Sequence, residues 1–248
     1  MNPQKSLGAL LFAFLLQPAA AAEITVLSAG AIEPGLKAAV AAYQRESGDT
    51  VKFGFATAPQ LRKRIGGGEV ADVVIAPPAA LEEFARDGKL GALRSNVGRV
   101  GLGVAVRPDA PVPDISSAAA LERSVLEAES LVFNRASTGL YFENLLKKMG
   151  VYDKVERKTA RYDTGAAVME HLLKGKGREV GVGPITEILQ FGKQGLRFVG
   201  PLPAEVQNYT TYVAAPMAAS RDAPAAEKFV RYLASPAGKA LFTAAGIE

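Results

Sequence analysis

The chain has 248 residues, no cysteine and no tryptophan, and its 29 Lys and Arg against 25 Asp and Glu give a formal charge of +4 at neutral pH. Without cysteine, neither disulfides nor thiolate metal sites contribute. A mild positive excess, with no Lys/Arg cluster interleaved with aromatics, argues against a nucleic-acid partner and suits a small anion better.

The first 22 residues read as an export signal: Lys5 supplies a charged start, residues 7–16 an apolar core, and Pro18 with Ala19 to Ala22 a small-residue cleavage region. The apolar run is about half of the roughly 20 residues needed to span a bilayer. Cleavage after Ala22 and a periplasmic location are expected, and residues 23–248 are enough for two modest lobes with their own cores.

From there the grammar is strand, small-residue loop, helix, repeated. Ile24-Thr25-Val26-Leu27 is a short apolar strand, and residues 32–43 carry Ile32, Leu36, Ala39, Val40 and Tyr43 at helical spacing, with Pro34 in the first turn. Residues 50–55 alternate as a second strand; Thr57 is a candidate N-cap for a helix that Gly66-Gly67-Gly68 ends. Residues 71–76 form a continuous apolar run typical of a buried parallel strand, and a helix over 79–87 follows. After a strand over 97–106, three prolines at 108, 111 and 113 mark a stiff turn. The pattern resumes with a helix near 118–126, a strand over 130–134, the loop Arg135-Ala136-Ser137-Thr138-Gly139, and a helix over 140–149. A short strand at 157–160, a helix over 166–174, a strand over 179–183, a helix over 185–191 and a strand over 196–199 come next. A strand over 209–214 would return to the first lobe, and the chain closes on an amphipathic helix over 223–233 and a second helix from Pro236. This alternation predicts an α/β protein with mostly parallel sheets flanked by helices.

Three stretches carry a resemblance to a known family: the opening 24–43 unit, the block from Leu61-Arg62-Lys63-Arg64-Ile65 to Asp72-Val73-Val74-Ile75, and the tail Ala225 to Gly238 with its Ser235-Pro236-Ala237-Gly238 step. Over nearly its whole length the sequence resembles the periplasmic substrate-binding proteins of molybdate-type ABC importers, which have the type II solute-binding fold. The resemblance implies two lobes joined by two crossover strands near 100–106 and 209–213, with lobe 1 formed by 23–103 and 207–248 and lobe 2 by 104–206. It further implies a ligand in the cleft, closure read by an inner-membrane permease, a monomer, and no cofactor.

The resemblance also points to the ligand loops, where this sequence departs from the pattern. Gly30 and Ala31 stand where the molybdate binders have Ala-Ser, so Ala31 lacks the hydroxyl; Thr57, before Ala58, is the one hydroxyl in the second loop; and Pro184 stands where the family has a tyrosine. Helix starts at Ala31, Thr57, Thr138 and Gly165, with Thr164 ahead of the last, are expected to offer backbone N–H groups to an oxyanion such as molybdate, tungstate or sulfate, or to a carboxylate. Arg135 either grips a carboxylate in a two-pronged ion pair, with Ser137, Thr138 and Gly139 beside it, or is a solvated loop charge. His171, the single histidine, lies about two helical turns from Thr164, roughly 10 Å along the axis, and is expected away from the cleft. With no nucleophile elbow, no metal-ligand spacing and no phosphate or dinucleotide fingerprint, the expected class is a binder rather than an enzyme, with a ligand sensor as the alternative to transport.

Overall fold

The computed structural model describes residues 21–248, so the export signal lies outside the described residues except for its last two positions. In chain order the elements are β1 (Glu23–Ala29), α1 (Glu33–Ser47), β2 (Thr50–Ala56), α2 (Ala58–Gly66), β3 (Val73–Ala76), α3 (Pro78–Arg86) and β4 (Ser95–Val106). They continue with α4 (Ala118–Glu127), β5 (Ser130–Asn134), α5 (Ser137–Lys148), the single-turn α6 (Tyr152–Val155), β6 (Thr159–Tyr162), α7 (Gly165–Lys174), β7 (Glu179–Pro184) and α8 (Ile185–Phe191). The last four are β8 (Arg197–Pro201), β9 (Tyr209–Pro216), α9 (Ala223–Leu233) and α10 (Pro236–Ala244).

The strands run β2-β1-β3-β9-β4-β7-β5-β6, with β8 also on β4. Each lobe has a parallel core of three strands: β2-β1-β3 in lobe 1 and β7-β5-β6 in lobe 2. The strands between these cores are antiparallel, so the sheets are less uniformly parallel than the β-α alternation suggests. The reason is that chain passing out to lobe 2 and back must run in opposite directions along the junction. β4 makes the outward crossing within one strand: Ser95 to Gly101 pair with β9, and Leu102 to Val106 pair with β7 and β8. β9 pairs only with β3 and β4, so the return crossing falls just ahead of Tyr209, where Gln207 Oε1 accepts from Leu102 N at 2.9 Å and Gln207 Nε2 donates to Leu102 O at 2.9 Å.

Helices cover both faces of each sheet. In lobe 1, Leu36 of α1, Phe229 of α9 and Phe242 of α10 pack on Val26 and Ile75, while Leu61 of α2 and Phe84 of α3 cover Leu27 and Val74. In lobe 2, Leu121 of α4 and Phe142 of α5 cover Phe133 and Val104, and Met169, Leu172 and Ile188 cover Val132 on the other face. The apolar periodicity of each helix thus becomes a buried stripe worth about 1.5–3 kcal/mol per fully covered large side chain. Sequence punctuation sets the ends. Gly48 takes a left-handed φ of 75° to close α1, and Asp222 and Ser235 cap α9 and α10 by accepting from Ala225 N and Gly238 N. Among the described residues no helix is long and apolar enough to cross a membrane.

Candidate functional site

Strands of a doubly wound sheet deliver their following loops to one edge. Here the carboxyl ends of β1, β2 and β3 in lobe 1 meet those of β5, β6 and β7 in lobe 2 across a narrow crevice of about 30 Å³. Lobe 1 lines it with Ala29, Gly30, Ala31, Ala56, Thr57, Ala58 and Pro77; lobe 2 with Asn134, Ala136, Ser137, Thr138, Gly165, Pro184 and Glu187; Tyr212 of β9 forms part of the wall. One hydrogen bond clasps the halves: Thr186 Oγ1 donates to Ala31 O at 2.5 Å, both groups buried.

Eight residues expected from the sequence therefore meet here: Gly30, Ala31, Thr57, Ala58, Ser137, Thr138, Gly165 and Pro184. Three others do not line the crevice. Arg135 turns outward, its Nη1 donating to Arg161 O at 2.6 Å and lying 3.4 Å from Asp163 Oδ1, with more than half of the side chain exposed; its partners are these groups rather than the crevice wall. Gly139 is buried behind the first turn of α5, and Thr164 uses its hydroxyl to cap Ala167 N at 3.1 Å. His171 is also remote, its Nδ1 sharing a proton with Tyr162 OH at 2.6 Å and its Nε2 lying 3.5 Å from Glu179 Oε1.

The first turn of α5 is organised by Asn134, which the sequence reading passed over as the end of a strand. Its Oδ1 accepts from Ala136 N at 2.9 Å and Gly139 N at 3.0 Å, and its Nδ2 donates to Thr138 Oγ1 at 2.9 Å. The Asn-x-x-Ser-Thr-Gly run is the signal, since an asparagine side chain readily bonds backbone a few residues on. The helix consequently begins at Ser137, three residues before the apolar period starts at Leu140, and the first-turn N–H groups of Ser137 and Thr138 have no acceptor among the described residues. α7 opens likewise, with Thr164 satisfying Ala167 N and leaving Gly165 and Ala166 N–H at the tip. At Thr57 the donor is already used, because Thr57 N donates to Gln60 Oε1 at 2.8 Å.

Close approach explains Gly139. A β-carbon there would fall 1.8 Å from Asn134 O, a backbone atom that cannot step aside. Gly139→Ala is expected to lose about 1–3 kcal/mol of stability, because β5 and α5 must separate. A urea melt on the variant checks this; a loss below 0.5 kcal/mol would mean the two elements slide apart freely.

Glu187, on the first turn of α8, is the group that sequence reasoning missed. A glutamate amid Ile185, Thr186 and Ile188 reads as a solvated helix position, and only the opposing lobe buries it. Its Oε2 is closed off from solvent and has no hydrogen-bond partner among the described residues. The carboxyl sits between the halves: a β-carbon on Gly165 would fall 1.6 Å from Oε2, and one on Gly30 would fall 3.2 Å from Oε1. The crevice lining contains no Lys, Arg or His, and the other titratable groups facing Glu187 are Tyr212 and Glu33, the latter paired with Lys37 one turn along α1. Burial first, and the Glu33 charge second, push the Glu187 carboxyl up to about 7. Burial, followed by the charge of Glu187, pushes the Tyr212 phenol up as well. Among the described residues no group of three or more His, Cys, Asp or Glu side chains is placed to hold a metal ion.

The chemistry of the crevice is that of a small-solute site: two helix tips with unused N–H groups, the Ser137 hydroxyl, and one carboxyl able to carry a proton. Two α/β lobes around such a site define a two-lobed solute-binding protein. The chain belongs to the bacterial extracellular solute-binding protein family, whose model matches residues 24–248. It is 30% identical over 243 residues to an aconitate isomerase of a Pseudomonas species, covering 94% of this chain and 91% of that protein. Among solved structures, the Azotobacter vinelandii periplasmic molybdate-binding protein matches with a TM-score of 0.76 at 16% identity, over 91% of this chain and 98% of that one. The sulfate-binding protein of Mycobacterium tuberculosis matches with a TM-score of 0.73 at 17% identity, over 91% and 86% of the two chains. At such identities these structures share the fold.

Proposed function

We propose that this chain captures a small organic polycarboxylate in the interlobe crevice and closes on it. The observation that carries this reading is Glu187. A crevice with helix tips but no fixed cation attracts an anion, and a carboxyl poised near neutrality turns that preference toward a ligand whose own carboxylate can share its proton. Fully ionised sulfate or molybdate gains from the helix tips but carries no proton to share with the Glu187 carboxyl. The Pseudomonas relative, named for an unsaturated tricarboxylate, supports the same ligand class.

Export to the periplasm with cleavage after Ala22, and delivery of the ligand to an inner-membrane ABC permease by a monomer, belong to this reading, supported by family membership and by the signal-like first 22 residues. The test is a thermal-shift and calorimetric screen of aconitate, citrate, malate, sulfate, molybdate and tungstate. A ligand at a hundred times its Kd stabilises by about 2.7 kcal/mol. The expected result is a shift with di- or tricarboxylates exceeding that with any tetrahedral oxyanion, and the opposite order would reject the carboxylate reading.

A further inference from the structure

We propose that closure of the two lobes takes up a proton at Glu187, so that the crevice is held shut below neutral pH and loosens above it. This rests on the reading of the crevice as the place where two lobes close on a solute, and adds its regulation.

The first turn of α8 carries both the interlobe clasp and the carboxyl. Thr186, 1% exposed, donates through Oγ1 to Ala31 O of lobe 1 at 2.5 Å. Beside it, Glu187 Oε2 is closed off from solvent, and a β-carbon on Gly30, the neighbour of Ala31, would fall 3.2 Å from Oε1. The carboxyl therefore leaves water in the same movement that makes the clasp, and regains it when the halves part. What sets Glu187 apart is this place between the lobes. Glu179 Oε2 is equally buried and unpartnered, but it is enclosed by Gly175 and His171 of its own lobe, so its surroundings do not change as the lobes move.

No cation offsets a charge placed there. Glu33 faces Glu187 from α1, with Lys37 as its own partner, and Tyr212 faces it from β9. The charged groups on the other elements packed against α8 are engaged elsewhere or exposed. Arg99 of β4 pairs with Glu248, His171 of α7 lies between Tyr162 and Glu179, Glu170 pairs with Lys174, and Lys193 and Arg197 are exposed. Closing over an ionised Glu187 thus strands a charge next to a second carboxylate, whereas closing over the protonated form does not. Burial and the Glu33 charge put its titration at about 7 in the closed molecule, against an ordinary 4.5 in water. Linkage then fixes the sign: the closed-to-open ratio is highest below pH 4.5 and falls about a hundredfold by pH 8.

The experiment measures the separation of the lobes by pulsed electron spin resonance, with no ligand added. The chain has no cysteine, so Lys63→Cys on α2 and Leu140→Cys on α5, both exposed and on opposite lobes, take the two spin labels alone. The expected result is a short distance at pH 4.5 that gives way to a longer one by pH 8, the ratio of the two populations moving about a hundredfold. With Glu187→Gln the short distance should persist across the range. Thr186→Val, which keeps the shape and removes the donor, should enlarge the long-distance population at every pH. A distance that does not change with pH in the labelled but otherwise unaltered protein overturns proton-coupled closure. Opening of Glu187→Gln in step with that protein overturns Glu187 as the site of the proton, and a Thr186→Val variant that stays as closed overturns the clasp. Because no solute is present, these outcomes are separate from a failure of polycarboxylates to bind in the ligand screen.

Discussion

Asp72→Ala is expected to lower stability at pH 7 by about 3–5 kcal/mol, a large share of what holds a domain of this size together. Asp72 is 6% exposed and accepts four bonds: Thr25 N at 2.8 Å, Thr25 Oγ1 at 2.7 Å, Ser220 Oγ at 2.7 Å and Arg221 N at 3.1 Å. It thereby ties the start of β1, the entry to β3 and the turn after β9 into one corner of lobe 1. Truncation strands two backbone donors and two hydroxyls at once. Burial pushes the Asp72 carboxyl up, and the bonds from Thr25, Ser220 and Arg221 more than reverse this, leaving it below the usual carboxylate range. Because the folded value lies below the unfolded one, this stabilisation is fully present above about pH 3.8 and is lost as pH falls through the lower folded value. Urea melts of both proteins should therefore differ widely at pH 7 and converge toward pH 2. A gap that stays constant with pH would show that the alanine acts by cavity and not by lost carboxylate bonds.

Glu187→Gln should act in the other direction, stabilising the ligand-free protein at pH 8 by on the order of 3 kcal/mol. The folded carboxyl titrates at about 7 against an ordinary 4.5, so folding favours the protonated form. The gap corresponds to about 3 kcal/mol that is absent below pH 4.5, builds as pH rises through the window and is complete above 7. The groups facing it, Glu33 and Tyr212, add no positive charge to offset this. Gln removes the titration, so the variant's melting temperature should stay flat where the unaltered protein loses stability. Equal slopes in the two proteins between pH 4.5 and 7 would mean that Glu187 is ionised and solvated in the folded state. A residue that weakens the empty protein at working pH and yet lines its crevice is one whose presence calls for a functional reason.

The scaffold was legible where local chemistry and long-range packing agree. α9 follows from Asp222 as cap and Ala226, Phe229, Val230 and Leu233 at helical spacing, all buried as that spacing requires. β5 follows from an apolar run closed by Asn134. α6 leaves no trace in the periodicity because four residues are too few to show a period, and the apolar period of α5 starts three residues after the helix does because its first turn is set by a side chain on the preceding strand. In the crevice, backbone features could be anticipated since glycines, N-caps and helix starts are written locally. Arg135 and Glu187 could not, and for one reason. Which way a charged side chain faces depends on residues brought from other stretches: Arg161 and Asp163 draw Arg135 outward, while Gly30 of the opposite lobe closes over Glu187.

The long strand β4 belongs to both sheets, which ties the architecture to how it can be handled. Division near Gly101 would leave Ser95 to Gly101 on β9 and Leu102 to Val106 on β7 and β8, so each half would keep its ladders and lose only the continuous strand that sets one half against the other. Exchanging whole halves with a relative would therefore hand the angle between them, and with it the width of the crevice, to a new junction, whereas grafting the loops that tip the parallel strands leaves this shared spine whole.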